Sequence, residues 1–319
     1  MMEWVLVLLG LGILLFAGDA LVKGAVNLSL RLGVPALIVS LTIVAFGTSA
    51  PELLIAVSAV IEDVPGLALG NVVGSNTANI LLVLGVPALV AGLDAGSSDT
   101  RKTYAFMILA SLLFVVLAYF GPFTWVSGLI LLSALAFVLS DAFREARAHR
   151  RAERASPSGE ESAAVEGADP KMRGRTIAIY LVLGLIGLPL GAEILVHNAT
   201  AIARDFGVSE TVIGLTLVAI GTSLPELATT VVAAMRKQAE VALGSVIGSN
   251  MFNLLAIIGI ASLVGPIPVS PQILSFDIWV MFAASLLLVP FVLWGWRFTR
   301  PWGFALTGLY VAYVASVLS

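Results

Sequence analysis

Apolar and polar positions divide the chain into ten long apolar segments, near residues 3–28, 35–61, 65–92, 102–120, 123–141, 175–203, 209–235, 240–264, 276–295 and 302–318. Each is close to the roughly 20 apolar residues that an α-helix needs to cross a bilayer. A single long polar stretch, Asp141 to Gly174, separates the fifth segment from the sixth. It opens as an Arg/Ala-rich helical continuation, Phe143–Ala155, and passes into Ser156-Pro157-Ser158-Gly159-Glu160-Glu161. That second part has the composition of a solvated, disordered connector. It carries acids but no Asp-x-Asp-x-Asp-Gly loop. The expected architecture is an all-α membrane protein of ten transmembrane helices: five in 1–141, a linker at 142–174, and five in 175–319.

The second five repeat the first. At an offset of 174 residues and without a gap, Asp19 falls on Glu193, Gly33 on Gly207 and Thr42 on Thr216. Gly47-Thr48-Ser49 falls on Gly221-Thr222-Ser223, Pro51-Glu52 on Pro225-Glu226, and Gly70 on Gly244. Gly74-Ser75-Asn76 falls on Gly248-Ser249-Asn250, and Asn79 on Asn253. An odd number of spans per half turns the halves upside down relative to each other. Inverted repeats with interrupted helices and a midplane site are the architecture of secondary transporters.

Composition agrees. Only 12% of residues are charged and 59% are hydrophobic, against about 25% charged in soluble domains. The absence of cysteine excludes disulfides, thiolate metal sites and cysteine nucleophiles. A net charge of −3 carries no nucleic-acid signature. The first segment follows Met-Met-Glu, which lacks the positive charge of a secretory leader, so it is expected to be a retained helix. If the linker is cytoplasmic, sixteen of the seventeen Lys and Arg residues fall on cytoplasmic ends, and Arg204 alone lies outside. The expected topology is therefore multi-pass in the cell (plasma or inner) membrane with both termini extracytoplasmic. Trp4, Trp125, Trp279, Trp294, Trp296 and Trp302 lie near span ends, as interfacial anchors do.

The candidate chemistry lies in the repeated polar residues. Pro51 has no N–H to give the Gly47 carbonyl and crowds that turn, so carbonyls around Ala45–Thr48 are expected to lose partners. In hydrocarbon this is tolerated only beside protein or a water-filled cavity, and a cation can serve as well. Thr48, Ser49 and Glu52 share one helix face by their spacing, and Thr222, Ser223 and Glu226 copy them. The glycines at 66, 70 and 74 form a small-residue stripe that is expected to bring helix backbones close. Ser75 and Asn79 extend that stripe with oxygen, as Ser249 and Asn253 do beyond Gly244 and Gly248. Asn76 and Asn250 are read as capping or packing groups, and Asp19 and Glu193 as residues near helix ends beside water. An all-oxygen set suits Ca²⁺ with its 6–8 ligands, better than Mg²⁺ or a transition metal. Two glutamates balance one Ca²⁺ in charge. Without it they repel and lack solvation, so the site demands Na⁺ or H⁺ in exchange.

These paired motifs resemble the α-repeats of the cation/Ca²⁺ exchanger superfamily and are most similar to those of prokaryotic sodium/calcium exchangers. The resemblance covers residues 17–92 and 190–265. It implies a central site at Glu52, Asn79, Glu226 and Asn253. It further implies flanking Na⁺ sites at Thr48, Ser49, Ser75, Thr222, Ser223 and Ser249, with the carbonyls of Ala45 and Ala219. Some members carry Asp where this chain has Asn79 or Asn253; both are neutral here, which lowers the site's negative charge and argues against K⁺ co-transport.

The expected function is Ca²⁺ export in exchange for Na⁺ by alternating access, with the first and sixth helices moving against the other eight. A Ca²⁺/H⁺ antiporter on the same scaffold is the nearest alternative, and a passive cation channel is another. No His-Glu-x-x-His, Gly-x-Ser-x-Gly or intramembrane aspartate pair supports an enzyme. No cofactor is expected beyond the transported ions. The expected partners are Ca²⁺, Na⁺ or H⁺ and the bilayer, with the chain acting as a monomer and binding no nucleic acid.

Overall fold

The computed structural model describes residues 2–93, 100–155, 169, 171–207 and 219–318. Its helices, in chain order, begin with α1 (Met2–Leu32), α2 (Ala36–Thr48), α3 (Ala50–Ile61), α4 (Pro65–Val90) and α5 (Arg101–Tyr119). They continue with α6 (Trp125–Ala155), α7 (Gly174–Asp205), α8 (Ala219–Thr222) and α9 (Leu224–Met235). The last are α10 (Ala239–Val264), α11 (Ile273–Leu293) and α12 (Arg300–Leu318). Seven of these are long and apolar enough to cross a membrane, and eight if α2 and α3 count as one span bent by 43°. The protein is an all-helical, multi-pass integral membrane protein. The polar continuation expected at Phe143–Ala155 is helical, as the last part of α6. The first half of the expected seventh segment lies outside the described residues.

Burial sorts the helices into an inner and an outer set. In α4 and α10 the apolar stretch is 78% and 89% buried, whereas in α1, α6 and α7 it is 22–33% buried. The inner pair is rich in small residues, and the Ser and Asn side chains it carries, such as Asn76, Asn79, Asn250 and Asn253, are buried. The outer helices keep large side chains such as Phe16, Ile186 and Phe137 exposed, which suits a hydrocarbon solvent. With 31 and 32 residues, α1 and α7 are each about 46–48 Å long at 1.5 Å per residue. A hydrocarbon core of about 30 Å accommodates such helices by tilting them.

Helix boundaries recur with the sequence repeat. Ala50–Ile61 and Leu224–Met235 begin and end at matching positions, and the helices before them end at the matching Thr48 and Thr222. The break residues match as well, Ser49 at φ −86°, ψ 6° and Ser223 at φ −90°, ψ 3°. Left-handed turns also pair at this offset: Gly33 with Gly207, Asp63 with Lys237, and Gly121 with Gly295. Asp63 (φ 61°) and Lys237 (φ 56°) are the non-glycine members, strained for residues with a Cβ.

α1 and α7 run antiparallel in contact along a small-residue seam. A Cβ on Gly184 would stand 2.5 Å from the Leu21 Cβ, and one on Gly10 would stand 2.8 Å from the Leu195 backbone nitrogen. Gly191 packs on Leu14 and Gly187 on Ala17. The close approach expected of the α4 glycines is not found there. Nothing lies within 4 Å of a Cβ built on Gly66, Gly70 or Gly74. Their repeat partners in α10 behave as expected: Gly244 meets the Leu37 carbonyl at 2.9 Å and Gly248 meets that of Leu41 at 2.6 Å. In α10 that approach is made by α2, whereas the positions 174 residues after Leu37 and Leu41 lie outside the described residues. Asp19 is also inside α1 rather than near its end, because the helix continues to Leu32. It pairs with Lys23 at 2.9 Å and with Arg236, whose Nε donates to Oδ1 at 2.6 Å. Glu193 is exposed.

Candidate ion-binding site

Two helix breaks position the acids. Ser49 separates α2 from α3, and Pro51 and Glu52 stand in the first turn of α3; Ser223, Pro225 and Glu226 do the same for α9. Proline is accommodated in a first turn because its missing N–H would have had no intrahelical acceptor. The unpaired N–H groups and positive end of the dipole at that turn favour a carboxylate. Each glutamate interacts with its own backbone N–H, and the two feel one another's charge. Both are 1% exposed.

The halves meet around these carboxylates. Ser49 Oγ donates to Glu226 Oε1 at 3.4 Å, and Thr48 and Ser249 stand beside the same carboxylate. Asn79 and Asn253 are each 1% exposed and are held from the opposite half: Asn79 Nδ2 donates to Asn250 Oδ1 and Asn253 Nδ2 to Asn76 Oδ1, both at 3.0 Å. Among the described residues, six deeply buried oxygens here have no hydrogen-bond partner. They are Oε2 of Glu52 and Glu226, Oδ1 of Asn79 and Asn253, and Oγ of Ser223 and Ser249. Unpaired buried acceptors are costly, and six in one region form a ready cation cage. The described residues contain no group of three or more His, Cys, Asp or Glu able to hold a metal. Any cation here would take amide, hydroxyl and carbonyl oxygen beside the two carboxylates.

The other four expected members are Ala45, Ala219, Ser75 and Thr222. The Ala45 carbonyl is not freed by the proline: it accepts from the Ser49 N–H at 3.0 Å and from Thr48 Oγ1 at 3.3 Å. The chain stays helical through Thr48, so the break falls one turn later than expected. In the second half the Ser223 N–H turns to the Ile220 carbonyl at 3.0 Å, and the residues just before Ala219 lie outside the described residues. Ser75 is buried. It lines a cavity of about 150 Å³ with Asn71, Tyr310 and Tyr313. Thr222 is only half-buried, unlike Thr48.

Other features were not foreseen. Ser40–Val44, just before the first motif, and Phe252–Ile257, which contains Asn253, are π-helical. Such wide turns recur at functional sites, but they leave no mark in hydrophobic periodicity. Thr230, one turn beyond Glu226, donates to the Glu226 carbonyl at 2.8 Å and lies 3.1 Å from that of Val83. The repeat hides it, because the first half has Ala56 there.

Comparison with known proteins places this geometry. The family model described as sodium/calcium exchanger protein matches residues 2–141 and 176–319. The chain is 34% identical to the sodium/calcium exchanger MaX1 of Methanosarcina acetivorans, covering 98% of this chain and 97% of that one. It is 34% identical to the inner membrane protein YrbG of Escherichia coli, covering 97% and 95%. Among solved structures, the sodium-calcium exchanger NCX_Mj soaked with Na⁺ and Sr²⁺ superimposes with a TM-score of 0.81 at 30% identity, covering 99% of this chain and 98% of that one. With its repeated motifs, broken helices and full-length match, the chain belongs to the sodium/calcium exchanger family.

Proposed function

We propose that the chain is a secondary antiporter that exports Ca²⁺ from the cytoplasm in exchange for Na⁺. The single observation that carries this reading is the group of unpaired buried oxygens around Glu52 and Glu226, drawn from both halves. Two carboxylates match one Ca²⁺ in charge. The hydroxyls of Thr48, Ser49, Thr222, Ser223 and Ser249, with the Asn79 and Asn253 amides, complete a hard oxygen set. Ser75 and the carbonyls of Ala45 and Ala219 belong to this set only if the chain moves. The ten-helix plan in two inverted halves, the cytoplasmic linker and the extracytoplasmic termini are part of the same proposal. The matching helix boundaries and left-handed turns of the two halves support it. α1 and α7 move as a pair against the other helices, and their glycine-lined contact supports this role.

Na⁺ is favoured over H⁺ as driver by the hydroxyl-rich ligands and by the family's named members. At −100 mV a charge costs about 2.3 kcal/mol, and a tenfold gradient is worth about 1.4 kcal/mol. Expelling Ca²⁺ against a ~10⁴ gradient then needs roughly 10 kcal/mol. Three Na⁺ entering down a tenfold gradient supply about 11 kcal/mol and two about 7. Three suffice, so exchange is electrogenic.

Proteoliposomes test the proposal. Ca²⁺ uptake driven by a Na⁺ gradient at clamped pH is expected, with loss in Glu52→Gln and Glu226→Gln. Uptake driven only by a pH gradient without Na⁺ would replace Na⁺ by H⁺. Flux without obligatory counter-transport would make the chain a channel.

A further inference from the structure

Asn76 and Asn250 stand outside the ligand set, yet each reaches across to the opposite half. We propose that they are positioning residues that lock the Asn253 and Asn79 amides with oxygen toward the ion. This rests on the exchanger reading of the site.

A side-chain amide carries a donor and an acceptor on one rotor, and only the oxygen can face a cation. Four hydrogen bonds settle the rotor here. Asn253 Nδ2 donates to Asn76 Oδ1 at 3.0 Å, and Asn76 Nδ2 donates onward to the Asn250 backbone carbonyl at 3.2 Å. The second half mirrors this: Asn79 Nδ2 donates to Asn250 Oδ1 at 3.0 Å, and Asn250 Nδ2 to the Asn76 carbonyl at 3.4 Å. All four residues are 1% exposed, so no bulk water competes. Every amide nitrogen in the set is consumed, whereas Oδ1 of Asn79 and of Asn253 has no partner. Turning Asn253 over would set its oxygen against Asn76 Oδ1. Relieving that clash would require Asn76 to turn as well, which would set its oxygen against the Asn250 carbonyl. One wrong amide therefore costs a bond and sets two oxygens face to face whichever way its neighbour turns, so the amides are coupled.

The same bonds fasten α4 to α10 where the halves cross. The two amide ligands thus keep a fixed relation while other helices move. Asn76 and Asn250 act through their neighbours, as groups behind first ligands do in metal sites.

The test compares Asp and Leu at each position in the full-length purified protein. Asn76→Asp and Asn76→Leu both lose the bond to the Asn250 carbonyl, but only Asp keeps an acceptor for Asn253 Nδ2. The readouts are Ca²⁺ titration calorimetry in detergent and Na⁺-driven Ca²⁺ flux in liposomes. Asn76→Leu is expected to weaken Ca²⁺ binding about 10–100-fold, and Asn76→Asp to bind at wild-type strength or tighter. Asn250→Leu and Asn250→Asp are expected to repeat the pattern. Equal weakening by Asp and Leu would assign these amides a packing role and overturn the proposal, as would wild-type binding by the Leu forms. Should the Leu forms not fold, the cycle of Asn76→Asp with Asn253→Asp decides. Two facing carboxylates are expected to lose more than the sum of the single changes, and additivity would overturn the proposal. Wild-type protein that binds Ca²⁺ without Na⁺-driven flux would defeat the exchanger reading and leave the Asp-against-Leu contrast standing as its own measure.

Discussion

A buried acid is worth most where no water can replace it. Neutralising Glu52 or Glu226 removes a unit charge from beside a divalent ion, an attraction of about 8 kcal/mol at 4 Å with an effective dielectric of 20, of which desolvation of the charges offsets about half or more. Ca²⁺ affinity of Glu52→Gln and Glu226→Gln is therefore expected to fall on the order of 10²–10³-fold, read by calorimetry on the purified protein. Ser49→Ala makes a gentler probe. Its 3.4 Å bond to Glu226 is long, and losing a bond of this kind costs about 0.5–1.5 kcal/mol. The half-saturating Ca²⁺ for exchange is expected to rise about two- to tenfold. The acids and most of their oxygen neighbours were legible in the sequence because each appears twice in an apolar setting. The part played by Asn76 and Asn250 was not. The repeat marks them as special but cannot name their partners, which are more than 170 residues away.

For the helices, the seam between α1 and α7 gives a paired expectation. Gly184→Val places methyl groups against Leu21, where even a Cβ would come within 2.9 Å of its backbone. Overpacking of that kind costs about 1–3 kcal/mol, so the thermal midpoint in detergent is expected to drop. Gly12→Ala, with nothing within 4 Å, is expected to leave it unchanged. Hydrophobic runs gave the helices and their number of residues because lipid demands apolar faces. The breaks at Ser49 and Ser223 follow from the prolines two residues later. The π-helical turns were hidden because one extra residue in a turn barely shifts the apolar pattern. Among the described residues the close approach expected of the glycine stripe is seen at the repeat partners Gly244 and Gly248, where α2 packs.

The whole molecule is expected to move net charge. If three Na⁺ enter for each Ca²⁺, an inside-negative potential accelerates export, and valinomycin-clamped liposomes should show this as voltage-dependent flux. Potential-independent flux would indicate two monovalent ions per Ca²⁺. Replacing residues 156–168 with a Gly/Ser segment of equal length is expected to leave exchange intact, because their composition is that of a connector. Loss of flux would assign that segment a regulatory part. At this scale the repeat read in the sequence recurs in the matching breaks at Ser49 and Ser223, which supports the proposed plan of two halves. What it could not reveal is where the two copies part company, as where the Ser49 N–H pairs with the Ala45 carbonyl but the Ser223 N–H with that of Ile220.

The paired helix ends have a practical corollary. If the halves are oppositely oriented as proposed, a position and its twin 174 residues away face opposite compartments. Substituting Gly47, whose Cβ would meet Leu185, and then Gly221, whose Cβ would meet Val196, should impair ion access from opposite sides of the bilayer. A lesion and its twin thus serve as each other's control, and sidedness can be assigned with no label attached to either surface.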